Sequence, residues 1–194
     1  MTRKHTRAAS FFHCPLALVL TWTVIGAPCL HAQKSGPTEN EVKSAYLYNF
    51  GKFVEWPATA TVAGEFFPIC VLGDDSFGTT LEMTIARESI NGKKVLVKRV
   101  AKPQDAVTCR ILFISSSQQS RLKEILAELD NTSVLTVSDM PEFTRRGGMI
   151  QFVIEANRVR FEVNLTIAER TGLTLSSQLL KVAIDVKRSA QPGG

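Results

Sequence analysis

Cys109-Arg110-Ile111-Leu112-Phe113-Ile114-Ser115-Ser116-Ser117 is a short apolar run that ends in three consecutive hydroxyls. A continuous apolar run of this length reads as a strand buried on both faces, as in a parallel sheet. The serines lead into Leu122, Ile125, Leu126 and Leu129 at helical spacing, with Ser116 and Gln119 as a candidate cap. Buried strand, polar turn, amphipathic helix is the repeating unit of a layered α/β domain.

The same alternation extends in both directions. Upstream, Phe66 to Gly73 is a second apolar strand, and Asp74-Asp75-Ser76-Phe77-Gly78 turns it into a helix through Leu81, Ile85 and Ala86. Asn91-Gly92 is a turn, Lys93 to Val100 is a strand of partly alternating polarity, and Lys102-Pro103-Gln104-Asp105 is a loop before the Cys109 strand. Further upstream, Thr38-Glu39-Asn40-Glu41 is a capping box. It opens a helix with Val42, Ala45, Tyr46, Asn49, Phe50 and Phe53 at helical spacing, which stops before Trp56-Pro57.

Downstream, Val134 to Asp139 is a short strand, and a loop follows through Pro141 to Gly148. Met149 to Glu155 and Val159 to Val163 form a hairpin with Asn157 at its turn. Thr166-Ile167-Ala168-Glu169 reads as another capping box, and Gly172 ends that short helix. Leu175, Leu179, Val182, Ala183 and Val186 stripe a last helix. The expected fold is a single layered α/β domain over residues 33–188, a mostly parallel sheet flanked by helices with a late antiparallel hairpin. Residues 189–194 are a disordered tail.

The first thirty residues change the meaning of the composition. Arg3, Lys4 and Arg7 precede an apolar stretch from Phe11 to Ala27, and Leu30-His31-Ala32 closes it. This is the layout of a secretory signal, cleaved after Ala32, which makes the protein periplasmic. An uncleaved anchor is the plainer alternative, which His13 and Pro15 weaken by interrupting the apolar run. A lipoprotein signal at Cys29 fits poorly behind Pro28. Cleavage removes His5, His13 and His31, and lowers Lys+Arg from 23 to 20 against 18 Asp+Glu, a net charge of +2 in place of +5. So small an excess does not argue for nucleic acid as partner. The 44% apolar content excludes wholesale disorder and fibrous classes.

Of the four cysteines only Cys70 and Cys109 survive processing. Two cysteines in an exported chain suggest a disulfide. Its loop of about forty residues implies roughly 4 kcal/mol from chain entropy. Two reduced thiols buried in the core are the other reading. Thiol catalysis is disfavoured, with no C-x-x-C and no histidine in the mature chain.

Ligands on such sheets bind beyond the carboxyl ends of the strands. Asp74, Asp75, Ser115, Ser116 and Asp139 occupy those ends. Asp74-Asp75 suits a divalent cation or a phosphoryl group, but a carboxylate pair supplies too few ligands for a hard cation. Acids near a helix N-terminus are the plainer reading. The serines suit a nucleophile or an anion nest, yet there is no Gly-x-Ser-x-Gly elbow, and capping explains them. No metal and no cofactor is expected. Arg160, Glu162 and Asn164 share one face of a strand, with Val159, Phe161 and Val163 on the other. They are a candidate partner surface or an ordinary solvated face. Tyr46, Phe50, Phe53 and Trp56 form an aromatic stripe that reads as core.

Eight runs in order carry a family resemblance. They are Glu41 to Phe50, Lys52 to Pro57, Ile69 to Gly73, Cys109 to Ile114, Leu135 to Asp139, Phe143 with Gly147 to Ile150, Arg160 to Asn164, and Gly172 to Leu180. Together they resemble the YfiR-like family of exported bacterial proteins. The resemblance implies a periplasmic regulator, not an enzyme. It implies a partner in the periplasmic part of an inner-membrane signalling protein, a diguanylate cyclase held inhibited, whose release raises cyclic di-GMP and favours biofilm. A homodimer is a second partnership left open. The resemblance also implies that the redox state of Cys70 and Cys109 affects the hold. Some members carry a second cysteine pair around the Gly-Gly motif, where this chain has Thr144 and Gln151. A periplasmic small-ligand binder reporting to a sensor or transporter is the rival reading.

Overall fold

Thr38 caps the first helix, α1 (Glu39–Phe53), by accepting the Glu41 N–H, and the Glu41 carboxylate accepts the Thr38 N–H in return. A computed structural model describes residues 36–60 and 64–188. The expected signal segment 1–32 and tail 189–194 lie outside the described residues. Among the described residues no helix is long and apolar enough to cross a membrane.

After α1 come β1 (Val54–Glu55), β2 (Phe66–Leu72), α2 (Thr80–Ile85), β3 (Ser89–Ile90), β4 (Lys93–Val100) and β5 (Ile111–Ile114). Then follow α3 (Leu122–Glu128), β6 (Leu135–Ser138), β7 (Ile150–Glu155) and β8 (Arg158–Asn164). The chain closes with α4 (Leu165–Arg170), β9 (Thr174–Leu175), α5 (Ser177–Val182) and β10 (Asp185–Lys187). An eight-stranded sheet runs in the order β10-β8-β7-β6-β5-β2-β4-β3. Strands β4, β2, β5, β6 and β7 are parallel, while β7 and β8 form the antiparallel hairpin. The expected α/β class and sheet are therefore present. From β2 the chain goes to one side for β4, then to the other for β5 and β6. The carboxyl ends of β2 and β5 accordingly mark the point where the strand order reverses.

Residues of the parallel strands alternate between two cores. One lies under α1, where Phe50, Phe113, Phe152 and Phe161 are buried with Leu47 and Ile69. Tyr46, Phe50, Phe152 and Phe161 form a ring cluster with centroids 5.1–6.0 Å apart. The aromatic stripe of α1 is thus mainly core. The other core, under α3, holds Leu112, Ile114, Ile125 and Phe143. Cys70 and Cys109 lie in it, joined by a disulfide with Cα atoms 6.0 Å apart.

Several local expectations change. Asn164, not Thr166, caps α4: its side chain accepts the Ile167 N–H at 3.2 Å. Asparagine precedes the helix directly and outcompetes a threonine already inside it. The expected last helix is only α5, because Leu175 belongs to β9, paired with β1, and Val186 belongs to β10, paired with β8. The periodic apolar residues of that segment satisfy two strand edges as well as a helix. Cys109 precedes β5, and the segment before it is a 3-10 turn, Pro103–Thr108. Ser115, not Ser116, caps the 3-10 turn Ser116–Arg121 by accepting the Ser117 N–H.

Candidate functional site at the strand ends

Gly73 ends β2 with φ +93°, and a Cβ there would come within 2.6 Å of Ser117 Oγ. Only glycine lets β2 leave the sheet this close to the segment after β5. The Asp74 N–H then donates to Ser117 Oγ at 2.9 Å, and the Ser117 hydroxyl donates to Ser115 Oγ at 3.2 Å. The Gly73-Asp74 end and the serine end therefore meet at the reversal point, as their sequence positions suggest.

Asp75 is committed elsewhere. Asp75 Oδ1 accepts the Phe77 N–H at 2.9 Å, and its other oxygen is paired with Arg99 at 2.6 Å. Arg99 also reaches the Gly78 carbonyl at 2.7 Å and the Glu82 carboxylate. Asp74 remains exposed. Among the described residues, no cluster of three or more cysteine or acidic side chains is placed to hold a metal. Ser115 is buried as a cap, and Ser116 is exposed.

Asp139, at the end of β6, meets a residue that sequence reasoning missed. Lys43 Nζ donates to Asp139 Oδ2 at 2.7 Å and pairs with Glu39 at 2.6 Å. The Lys43 side chain is only 6% exposed. Burial pushes this ammonium down, but the hydrogen bonds and charges of Asp139 and Glu39 outweigh it, holding its pKa above the ordinary lysine value. The signal was present in α1. Lys43 stands one turn before Leu47 and two before Phe50, on the stripe that turns inward. Around this pair is an open hollow of about 460 Å³, bordered by Glu39, Ser116, Asp139, Pro141 and Gln151.

Along β8, the candidate partner residues divide. Asn164 is used internally: besides capping α4, its amide donates to the Thr144 carbonyl at 2.8 Å. Glu162 accepts from the Thr144 hydroxyl at 3.3 Å and lies 3.7 Å from Lys187 Nζ. Lys187 donates to the same hydroxyl at 2.7 Å, and the Thr144 N–H donates to Gln151 Oε1 at 3.3 Å. Thr144 is fully buried. The two residues flanking Gly147-Gly148 are therefore joined by a hydrogen bond. Arg160 is half-buried, its Nε shielded without a partner, beside a hollow of about 570 Å³ that also touches Arg158, Glu39 and Tyr46. The meeting of Thr144 with Lys187 gave no sequence signal, since they come together only when the 141–149 segment and β10 pack against β8.

The YfiR/HmsC-like family matches residues 40–184. The chain belongs to that family. This family is one of periplasmic regulators, and a disulfide between Cys70 and Cys109 fits an exported member. Among solved structures, the fold is similar to a conserved domain protein from Vibrio cholerae O1 biovar El Tor, with TM-score 0.55 and 11% identity. That match covers 77% of this chain and 60% of the other. An ABC domain in complex with L-Trp from Streptococcus pneumonia aligns with TM-score 0.46 and 15% identity, covering 62% and 55% of the two chains. This chain thus spans less than two thirds of either. The first likeness shows the fold alone, and the second carries no argument.

Proposed function

We propose that this YfiR/HmsC-like protein is a periplasmic binding protein that restrains an inner-membrane signalling partner, a diguanylate cyclase. Membership of the family over residues 40–184 carries the reading. Control follows if the protein binds the partner's inactive state more tightly than its active one. The chemistry at the strand ends supports binding over catalysis. Asp75 and Asp139 are held in ion pairs, and the serines serve as caps and turn contacts. Arg160, backed by Glu162, is the proposed centre of the partner surface. The test is an in-cell crosslink from position 160 together with a cyclic di-GMP measurement. Capture of a membrane cyclase, and a rise in cyclic di-GMP on deletion, are expected. An unchanged nucleotide level with no membrane partner captured overturns the proposal.

One observation favours a second reading, a small-ligand binder. The hollow beside Lys43, Ser116 and Asp139 lies at the carboxyl ends of β5 and β6, where sheets of this type hold ligands. Lys43→Met, which removes the buried charge, is expected to change ligand response but not partner capture under the first reading.

A further inference from the structure

At the opposite end of the strands, near the start of β6 and β7, a separate hollow of about 180 Å³ lies between α3 and α4. Three cations border it: Lys123 on α3, Arg146 in the segment before β7, and Arg170 on α4. One acid, Asp130, stands with them, and it is paired with Arg170 at 2.6 Å. The other two cations have no such neutralisation. Among the described residues neither Lys123 nor Arg146 is paired with a carboxylate. The Arg146 guanidinium donates to the Gln119 carbonyl at 3.0 Å, which fixes its position and leaves further N–H groups free.

The interior differs from this rim. Leu126, Met149 and Ile167 supply an apolar wall. Thr136 also lines the hollow and is only 2% exposed. Its oxygen accepts the Met149 N–H at 3.2 Å, and its own hydroxyl proton meets no acceptor among the described residues. A buried hydroxyl with an unused proton is a donor in search of an acceptor. A concave site with an apolar wall and a few convergent polar groups is the ordinary form of a small-molecule site.

We propose that this hollow binds a small organic anion, with its oxyanion between Lys123 and Arg146 and a short apolar body against Leu126, Met149 and Ile167. Thr136 donates to the ligand from the interior. Arginine and lysine supply charge-assisted hydrogen bonds to the oxyanion, and the small volume limits the body to a few carbons. The hollow shares no lining residue with those beside Lys43 and Arg160, so the inference stands whether or not the partner is a cyclase.

The test uses protein purified from the periplasm with its disulfide intact. Amide spectra are followed while sodium hexanoate is added at constant ionic strength, with sodium phosphate as the comparison. Saturable shifts at Gly147, Gly148 and Thr171 are expected with hexanoate, and weaker ones with phosphate. Arg146→Gln and Lys123→Gln are each expected to weaken hexanoate binding about tenfold, the weight of one charge-assisted contact. Arg87→Gln, an exposed cation on another part of the chain, leaves binding unchanged. Absence of saturable shifts overturns the site. So does an equal loss in the Arg87 variant. A response to phosphate as strong as that to hexanoate overturns the apolar part of the assignment.

Discussion

On the α1 face of the sheet, Phe50, Phe113, Phe152 and Phe161 are buried together with long aliphatic side chains. On the α3 face, a smaller set including Leu112, Ile114, Ile125 and Phe143 shares its volume with the Cys70–Cys109 bond. The difference follows from what covers each face. Helix α1 runs for fifteen residues, with α5 and the β1–β9 pair beside it, whereas α3 has seven and is extended by the 3-10 turn Ser116–Arg121. Apolar burial stabilises by about 25 cal/mol per Å². The α1 face therefore supports itself, and the α3 face gains from a cross-link that restricts the unfolded chain. Any redox control of this protein would act first on the less heavily packed face.

The sharpest way to break this comparison is at the centre of the larger core. Phe50→Ala removes a fully buried ring that packs against Phe152 and Phe161. It is expected to cost about 4 kcal/mol in a denaturant titration. Cys70→Ala with Cys109→Ala opens a loop of 39 residues and is expected to cost up to about 4 kcal/mol. Hydrogen exchange distinguishes the two faces in that variant: amides of α3 should lose more protection than those of α1, which fall only with the global stability. Uniform loss of protection would show that the faces do not differ in this way.

Two smaller effects sharpen the picture on the α1 side. Asp139→Asn leaves the buried Lys43 with Glu39 alone. Because Asp139 is partly exposed, the expected cost is about 2 kcal/mol, below that of a fully buried pair. Lys43→Met should cost less than Asp139→Asn, since it leaves a carboxylate that water can reach. The pH dependence has a definite sign. The raised Lys43 pKa means its contribution is present below the ordinary lysine value and is lost as pH rises through the higher folded value. An alkaline melt of Asp139→Asn should therefore lack part of the decline seen in the unaltered protein.

The smallest effect is at the start of α1. Thr38→Ala is expected to cost about 1 kcal/mol, read from the thermal midpoint. Hydrogen bonds from the Thr38 backbone and side chain hold Glu41 below the ordinary glutamate range. Its contribution is present above that range and lost as pH falls through the depressed value. Acid should thus fray the first turn of α1, and Thr38→Ala, which keeps the backbone N–H and loses only the hydroxyl, should weaken that response without abolishing it.

Much of this fold is legible in the sequence alone. The apolar runs at Ile69 to Leu72 and Ile111 to Ile114 announced buried parallel strands. Thr38 and Glu41 announced a helix start, and Asn157 the β7–β8 turn, where Ala156 and Asn157 both take positive φ. These features depend on the chain's own periodicity and on local backbone geometry. The last thirty residues were less legible. Short apolar segments there fit a helix or a strand equally well, and pairing with β1 and β8 settled the matter for Leu175 and Val186.

The family and the candidate pair Cys70 and Cys109 were also within reach of the amino-acid order. Side-chain partnerships were not. Asp75 is occupied by Arg99, Asp139 by Lys43 across 96 residues, and Glu162 by Thr144 and Lys187. A carboxylate at a strand end looks the same in sequence whether it faces a ligand, water or a distant cation. Its electrostatic surroundings exist only after the helices have packed on the sheet, because charge interactions depend on distance and burial rather than on order along the chain.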